Sequence, residues 1–280
     1  MLKKEYSRRC LALTEDIIMM NPGHYTVWLY RASIIFALQM PILEEMAWLN
    51  QVSLEYLKNY QIWHHRHLLV DNYYPQIAGK PDEVAAFARS ERAFVTQMFD
   101  EDTKNYHVWS YRSFLVGLLG MWDADELASV DRMIADDVRN NSAWSHRFYV
   151  VFSDPAHSTP GCAATERDPK IPDDLVDREV RYAQDKTYLA PQNQSPWNYL
   201  KGVLVKGGRK LATVEPFVLE FVRDIGEDAE DVKSTHALDL LAEIYAEKGD
   251  KEKADLCLRR LGEKWDRIRV GYWEWRRKCV

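Results

Sequence analysis

Several features are scarce in this 280-residue chain, and each scarcity removes a class of function. No apolar stretch reaches the roughly twenty residues that a membrane-spanning helix needs. The opening MLKKEYSRRC has no signal-peptide apolar core. The cysteines number four, Cys10, Cys162, Cys257 and Cys279, scattered and without a CxxC pair, as expected of a reduced, cytoplasmic protein rather than a disulfide scaffold. The 37 Lys and Arg are outnumbered by 43 Asp and Glu, for a net charge of −6. With no basic run and no basic-aromatic stripe, nucleic-acid binding is disfavoured. There is no Gly-rich phosphate loop, no HExxH helix and no GxSxG elbow. Gly and Pro, 12 and 11, gather in connectors and leave long uninterrupted stretches between them.

Aromatic residues are plentiful, with ten Trp and fifteen Tyr, more than a repeat core alone needs and suggestive of a large partner surface. Five tryptophans stand in nearly the same setting: NPGHYTVWLYRASII around Trp28, LKNYQIWHHRHLLV around Trp63, DTKNYHVWSYRSFLV around Trp109, VRNNSAWSHRFYVV around Trp144 and PQNQSPWNYLKGVLV around Trp197. Seven residues after each comes Ile35, Val70, Val116, Val151 or Leu204, which two turns of helix return to the same face. Two after each is Tyr30, His65, Tyr111, His146 or Tyr199. Three after are Arg31, Arg66, Arg112 and Arg147, then Leu200 as the one break. Asn59, Asn105, Asn140 and Asn193 stand four before their tryptophans, where Asn caps a helix by accepting from an orphan N–H.

The tryptophans are 35, 46, 35 and 53 residues apart, room for the motif helix and one antiparallel partner. Amphipathic partners are expected at Leu43 to Leu57, Pro81 to Phe99, Asp123 to Val138 and Asp173 to Leu189, with further helical pattern from Val214 to Trp275. A lone hairpin cannot bury its apolar stripe, but stacked hairpins can. The expected fold is therefore all-α, an α-α superhelix: a right-handed, crescent-shaped solenoid of helical hairpins forming a single domain over residues 1–280. The proline-rich stretch Phe152 to Pro172 reads as an exposed loop between the fourth and fifth repeats, and Gly207-Gly208 as a helix end.

The Trp-x-x-Arg arginines have an ordinary structural use, pairing with a carboxylate or carbonyl of the next unit. The cluster His64, His65, His67 invites a metal reading, but it lacks a completing carboxylate, and His65 already fills the repeat's Tyr/His slot. Cys162-Ala163-Ala164-Thr165 looks like a prenylation box but is internal, and Cys279 has the wrong spacing, so the chain is not expected to carry a lipid. Lys104 is out of place. It precedes the third motif at a helix start, where a cation opposes the helix dipole but can meet an anion. Such a local conflict points to function rather than packing.

Together the Asn-Tyr-x-x-Trp-x-x-Arg repeats, DTKNYHVWSYR, DDVRNNSAWSHRF and PWNYLKG resemble the α subunits of the protein prenyltransferases, in particular the one shared by farnesyltransferase and geranylgeranyltransferase type I. The resemblance is strong from Tyr6 to Val205 and looser beyond. It implies a heterodimer with a β subunit that carries Zn2+ and most of the isoprenoid pocket, with no cofactor or metal bound by this chain alone and Mg2+ assisting the farnesyl reaction. It implies transfer from farnesyl or geranylgeranyl diphosphate to the cysteine thiolate of a C-terminal CaaX sequence. Carried over residue by residue, it makes Lys104 and Tyr106 catalytic and places Tyr60, His107 and Asn140 at the substrates. Arg112, Trp144 and Arg147 would support activity structurally. The first segment is shorter than the family often has, the Phe152 to Pro172 loop is longer and richer in proline, and the fifth repeat lacks its arginine. Two alternatives stay open: the α subunit of Rab geranylgeranyltransferase, which shares the Trp repeats, and a non-catalytic helical-repeat scaffold.

Overall fold

A computed structural model describes residues 5–280; Met1–Lys4 of the opening segment lie outside the described residues. The chain forms two compact units, Met1–Trp122 and Asp123–Val280. The first holds α1 (Arg8–Met20), α2 (Tyr25–Ala37), α3 (Ile42–Glu55), α4 (Tyr60–Ile77), α5 (Pro81–Glu101) and α6 (Tyr106–Leu119). They pack in sequential pairs, and the motif helices α2, α4 and α6 also pack on one another in order.

In the second unit α7 (Ala124–Asp136) pairs with α8 (Asn141–Phe152), and α9 (Asp173–Leu189) with α10 (Gln194–Lys206). Next come the single turn α11 (Glu215–Val218), a two-residue antiparallel pair of β1 (Val222–Arg223) with β2 (Asp231–Val232), then α12 (Thr235–Glu247), α13 (Lys251–Arg260) and α14 (Val270–Arg277). The short β pair was not foreseen. It is pinned by Glu230, which takes a two-pronged bond from Arg260 at 2.8 and 2.6 Å and further bonds from the Gly226 N–H and Trp265 Nε1.

The expected repeat pattern is present in detail. All four asparagines cap their helices: the side chain of Asn59 accepts from Gln61 N, that of Asn105 from His107 N, that of Asn140 from Ala143 N and that of Asn193 from Ser195 N. The five motif tryptophans are buried, as are the residues seven beyond them. The indole N–H of Trp28, Trp109, Trp144 and Trp197 donates to the carbonyl six residues earlier at 2.8–2.9 Å, locking the entry turn to the helix; Trp63 is the exception among the described residues.

At three places a shared buried carboxylate joins one hairpin to the next, and a fourth carboxylate is bonded within its own hairpin. Glu45 on α3 takes Arg31 of α2 at 2.7 and 2.8 Å and His65 of α4 at 2.8 Å. Glu91 on α5 takes Arg66 of α4 at 3.1 and 2.7 Å and the hydroxyl of Tyr111 on α6. Glu179 on α9 takes Arg147 of α8 and Tyr199 of α10, and Glu126 on α7 takes His146 of α8 at 2.8 Å. Each of these Glu stands twenty residues before its Tyr or His. In the first repeat that slot is Cys10, and Tyr30 donates instead to the backbone carbonyl of Glu5. Burial pushes the His65 imidazole down, whereas Glu45 is held low because the bonds from His65 and Arg31 outweigh burial. The charge therefore stays on Glu45 and Arg31, and His65 bonds as a neutral donor. Leu200 breaks the arginine pattern where the motif array ends and no sixth motif follows.

The proline-rich connector is free of helix and mostly exposed, as expected, but it is more ordered than a plain loop. Residues 153–172 are not a simple exposed loop, for Ser158, Asp168 and Ile171 are buried. The Asp168 carboxylate accepts from Thr159 N and Oγ1, both at 2.7 Å, and from Lys170 N at 3.1 Å. Lys170 Nζ in turn donates to the carbonyls of Pro155 and Ser158. The prolines mark where helix stops, but one buried carboxylate organises what lies between them.

Candidate functional site

The residues singled out for chemistry in the first unit gather where α4 and α6 begin. Asp102 ends α5, and its Oδ1 accepts from Lys104 N at 3.0 Å, closing an Asx turn that aims the chain into α6. Asn21 and Asp137 close the same turn onto Gly23 and Arg139. Asn105 is buried; besides capping α6 it donates from Nδ2 to Leu57 O at 2.8 Å, fastening this turn to the one before α4. Lys104 is left exposed on the rim.

Around Lys104 the rim is aromatic and basic. Tyr106 is 77% exposed and Tyr60 63%, each as the first residue of its helix, and Tyr25 holds the same place on α2. His107 sits half-buried with its ring 6.1 Å from Tyr60, 5.8 Å from Tyr106 and 6.4 Å from Trp63. Burial pushes the His107 imidazole down, so it is neutral at physiological pH and can donate or accept one hydrogen bond. Lys58, the counterpart of Lys104 one repeat earlier, places Nζ 3.3 Å from Asp102 Oδ2. The site thus combines exposed Lys104, Lys58 in its pair with Asp102, two exposed phenols and a neutral imidazole at two helix starts, which suits an anion.

The other named residues lie in the scaffold. Arg112 is buried on α6, its guanidinium 5.5 and 5.7 Å from the rings of Trp109 and Phe99. In the second unit Asn140 is buried as the α8 cap, and Trp144 is buried with its N–H on Val138 O. Arg147 forks onto Glu179, bonds Asp131 and lies 3.5 Å from the centre of the Tyr182 ring. The three histidines disperse: His64 lies against Tyr60, His65 bonds Glu45, and His67 packs on Tyr111 and Phe114. Among the described residues no three His, Cys, Asp or Glu side chains converge on a possible metal position. The four hub glutamates are marked in the sequence only by spacing: Glu45, Glu91, Glu126 and Glu179 each precede the next tryptophan by the same interval. The pairing of Asp102 with Lys58 spans 44 residues and leaves no local signal.

Comparison with known proteins agrees with this geometry. The model for the protein prenyltransferase alpha subunit repeat matches residues 7–38, 42–73, 88–119, 123–154 and 176–206, each match a partner helix followed by its motif helix. The chain is 37% identical, over 98% of its length and 84% of the relative's, to the protein farnesyltransferase/geranylgeranyltransferase type-1 subunit alpha of Candida albicans. It is 33% identical to the protein of the same name from Dictyostelium discoideum, over 99% of this chain and 80% of that one. Among solved structures, Candida albicans protein geranylgeranyltransferase-I complexed with GGPP matches with a TM-score of 0.84 at 35% identity, covering 98% of this chain and 85% of that one. No helix among the described residues is long and apolar enough to cross a membrane.

Proposed function

The chain belongs to the protein prenyltransferase α-subunit family, and from that premise we propose that it is the α subunit of a heterodimeric protein farnesyltransferase/geranylgeranyltransferase type I. With a β subunit it supports transfer of a farnesyl or geranylgeranyl group from the isoprenyl diphosphate to the cysteine thiolate of a CaaX C-terminus, in the cytoplasm.

The observation that carries the reading is the exposed Lys104 at the start of α6, beside Tyr106 and Tyr60. As the bond from C1 to the diphosphate oxygen lengthens, negative charge collects on the leaving diphosphate. A preorganised ammonium at that point stabilises the transition state more than the ground state. Exposed phenols can donate to the same oxygens or to the peptide carboxylate, and neutral His107 can do so without adding charge. Asn140 acts by capping α8 rather than by touching substrate. The buried Arg147 and Trp144 act through the scaffold, as does Arg112.

Zinc and magnesium, which the family implies, find no ligand set among the described residues; the reading leaves them to the β subunit and to the diphosphate. The chain's own contribution is binding and charge. The test is co-expression with a family β subunit. A zinc-containing heterodimer that prenylates a CaaX peptide is the expected result, and a chain that forms no such dimer, or a dimer without transfer, refutes the proposal.

A further inference from the structure

Lys206 ends α10 and is the only lysine among the described residues that is buried, at 2% exposure. A buried ammonium normally faces a carboxylate. This one instead bonds the backbone carbonyls of Ala163 and Cys162, at 3.0 and 3.4 Å, and its one side-chain hydrogen-bond partner is Cys162 Sγ at 3.1 Å. The nearby Asp168 carboxylate is already committed to Thr159 and Lys170. Cys162 is partly exposed in the connector, so a small oxidant can reach its sulfur while the amine is held against it from beneath. Neither residue belongs to the rim around Lys104.

We propose that Cys162 and Lys206 form an oxidative cross-link, a sulfenamide between Sγ and Nζ, with hydrogen peroxide as the class of oxidant. The sulfur attacks one peroxide oxygen and the O–O bond breaks. Sγ is oxidised by two electrons to the sulfenic acid, and the peroxide is reduced to water. The lysine, having given its extra proton to solvent, attacks Sγ through its nitrogen lone pair. The S–N bond forms, the S–O bond breaks, and the departing hydroxide takes an amine proton to leave as water. In net terms one peroxide is consumed, two waters are released, and the chain loses two hydrogens. A thiol reductant reverses the bond by attacking Sγ and releasing the amine. The link ties the connector to the last turn of the fifth motif helix across 44 residues of chain, so it makes that junction sensitive to redox state.

The test is peptide mapping by mass spectrometry after the purified heterodimer has been titrated with hydrogen peroxide, alkylated and digested. The expected product joins the Cys162 and Lys206 peptides at ~2 Da below their summed mass. It disappears on treatment with dithiothreitol and does not form in Cys162→Ser or Lys206→Arg, the latter keeping a cation but not the primary amine. The exposed Cys279, which has only a backbone carbonyl beside it, serves as the internal gauge of peroxide dose. Wild-type Cys162 passing to sulfinic acid with its peptide unlinked, at a dose that oxidises Cys279, overturns the proposal. So does a linked product that persists in Lys206→Arg. The wild-type map alone decides the matter if the Lys206 variant does not fold.

Discussion

Tyr199 donates its phenolic hydrogen to Glu179 at 2.6 Å across the α9–α10 hairpin. Arg147, from the preceding hairpin, holds both oxygens of the same carboxylate at 2.8 and 3.0 Å. Removing the carboxylate leaves the buried guanidinium with the half-exposed Asp131 as its remaining charged partner, whereas replacing the pair by apolar groups of similar volume leaves no buried charge. Glu179→Ala should therefore cost about 3–5 kcal/mol in urea unfolding, with the double variant Arg147→Met, Glu179→Leu recovering most of it. Equal losses in the two would show that the charge pairing is not what stabilises this junction.

Acid should loosen the C-terminal region through Glu230. Burial pushes this carboxyl up, but the bonds from Arg260, the Gly226 N–H, Lys264 and Trp265 outweigh it and hold it at about 2, against an ordinary 4.5. A group depressed on folding stabilises fully above its unfolded value and loses that contribution as pH falls through its folded one. The loss should run from 4.5 down to about 2. Glu230→Gln should lower stability at neutral pH and flatten its dependence across that window, measured as urea midpoints; a dependence as steep as wild type would exclude Glu230 as its source.

Lys104→Ala should lower turnover of the reconstituted enzyme by about 10²-fold, the scale for losing one preorganised charge-stabilising group. The heterodimer should stay intact by gel filtration, because Lys104 is exposed. Unchanged turnover would remove Lys104 from the mechanism.

Asp102 should matter through Lys104. Its Oδ1 closes the turn onto Lys104 N, and its Oδ2 meets Lys58. Asp102→Asn keeps the turn acceptor and should retain most activity; Asp102→Ala loses it and should lower kcat several-fold. In a Lys104→Ala background the Asp102→Ala effect should largely vanish, because two changes acting through one group do not add. Fully additive losses would mean that Asp102 acts elsewhere.

Trp144→Ala removes a buried indole and its bond to Val138 O, and should cost about 3–5 kcal/mol with loss of folding or assembly. A stable heterodimer with only a kinetic defect would contradict this.

The parts of the fold that could be read in advance are those written at short range. The caps at Asn59, Asn105, Asn140 and Asn193, the tryptophan face and the helix stop at Gly207 each depend on residues within about two turns, where helical periodicity and capping operate. The partner helices were placed to within a few residues for the same reason. The hub glutamates were legible only as an interval of twenty residues, which local pattern reading does not sample.

By itself, then, the chain's sequence determined that hairpins repeat, which face of each is apolar, where the motif helices begin, and that Lys104 stands at one of those beginnings against the helix dipole. Tertiary structure alone decided that Arg147 meets Glu179, that Lys58 reaches Asp102, that Asp168 orders the proline-rich connector, and that a buried lysine lies against Cys162. All but the Asp168 pairing join residues tens of positions apart, and charge and hydrogen bonding act through distance in space. Nothing in the local order of the chain records that distance until the hairpins have packed.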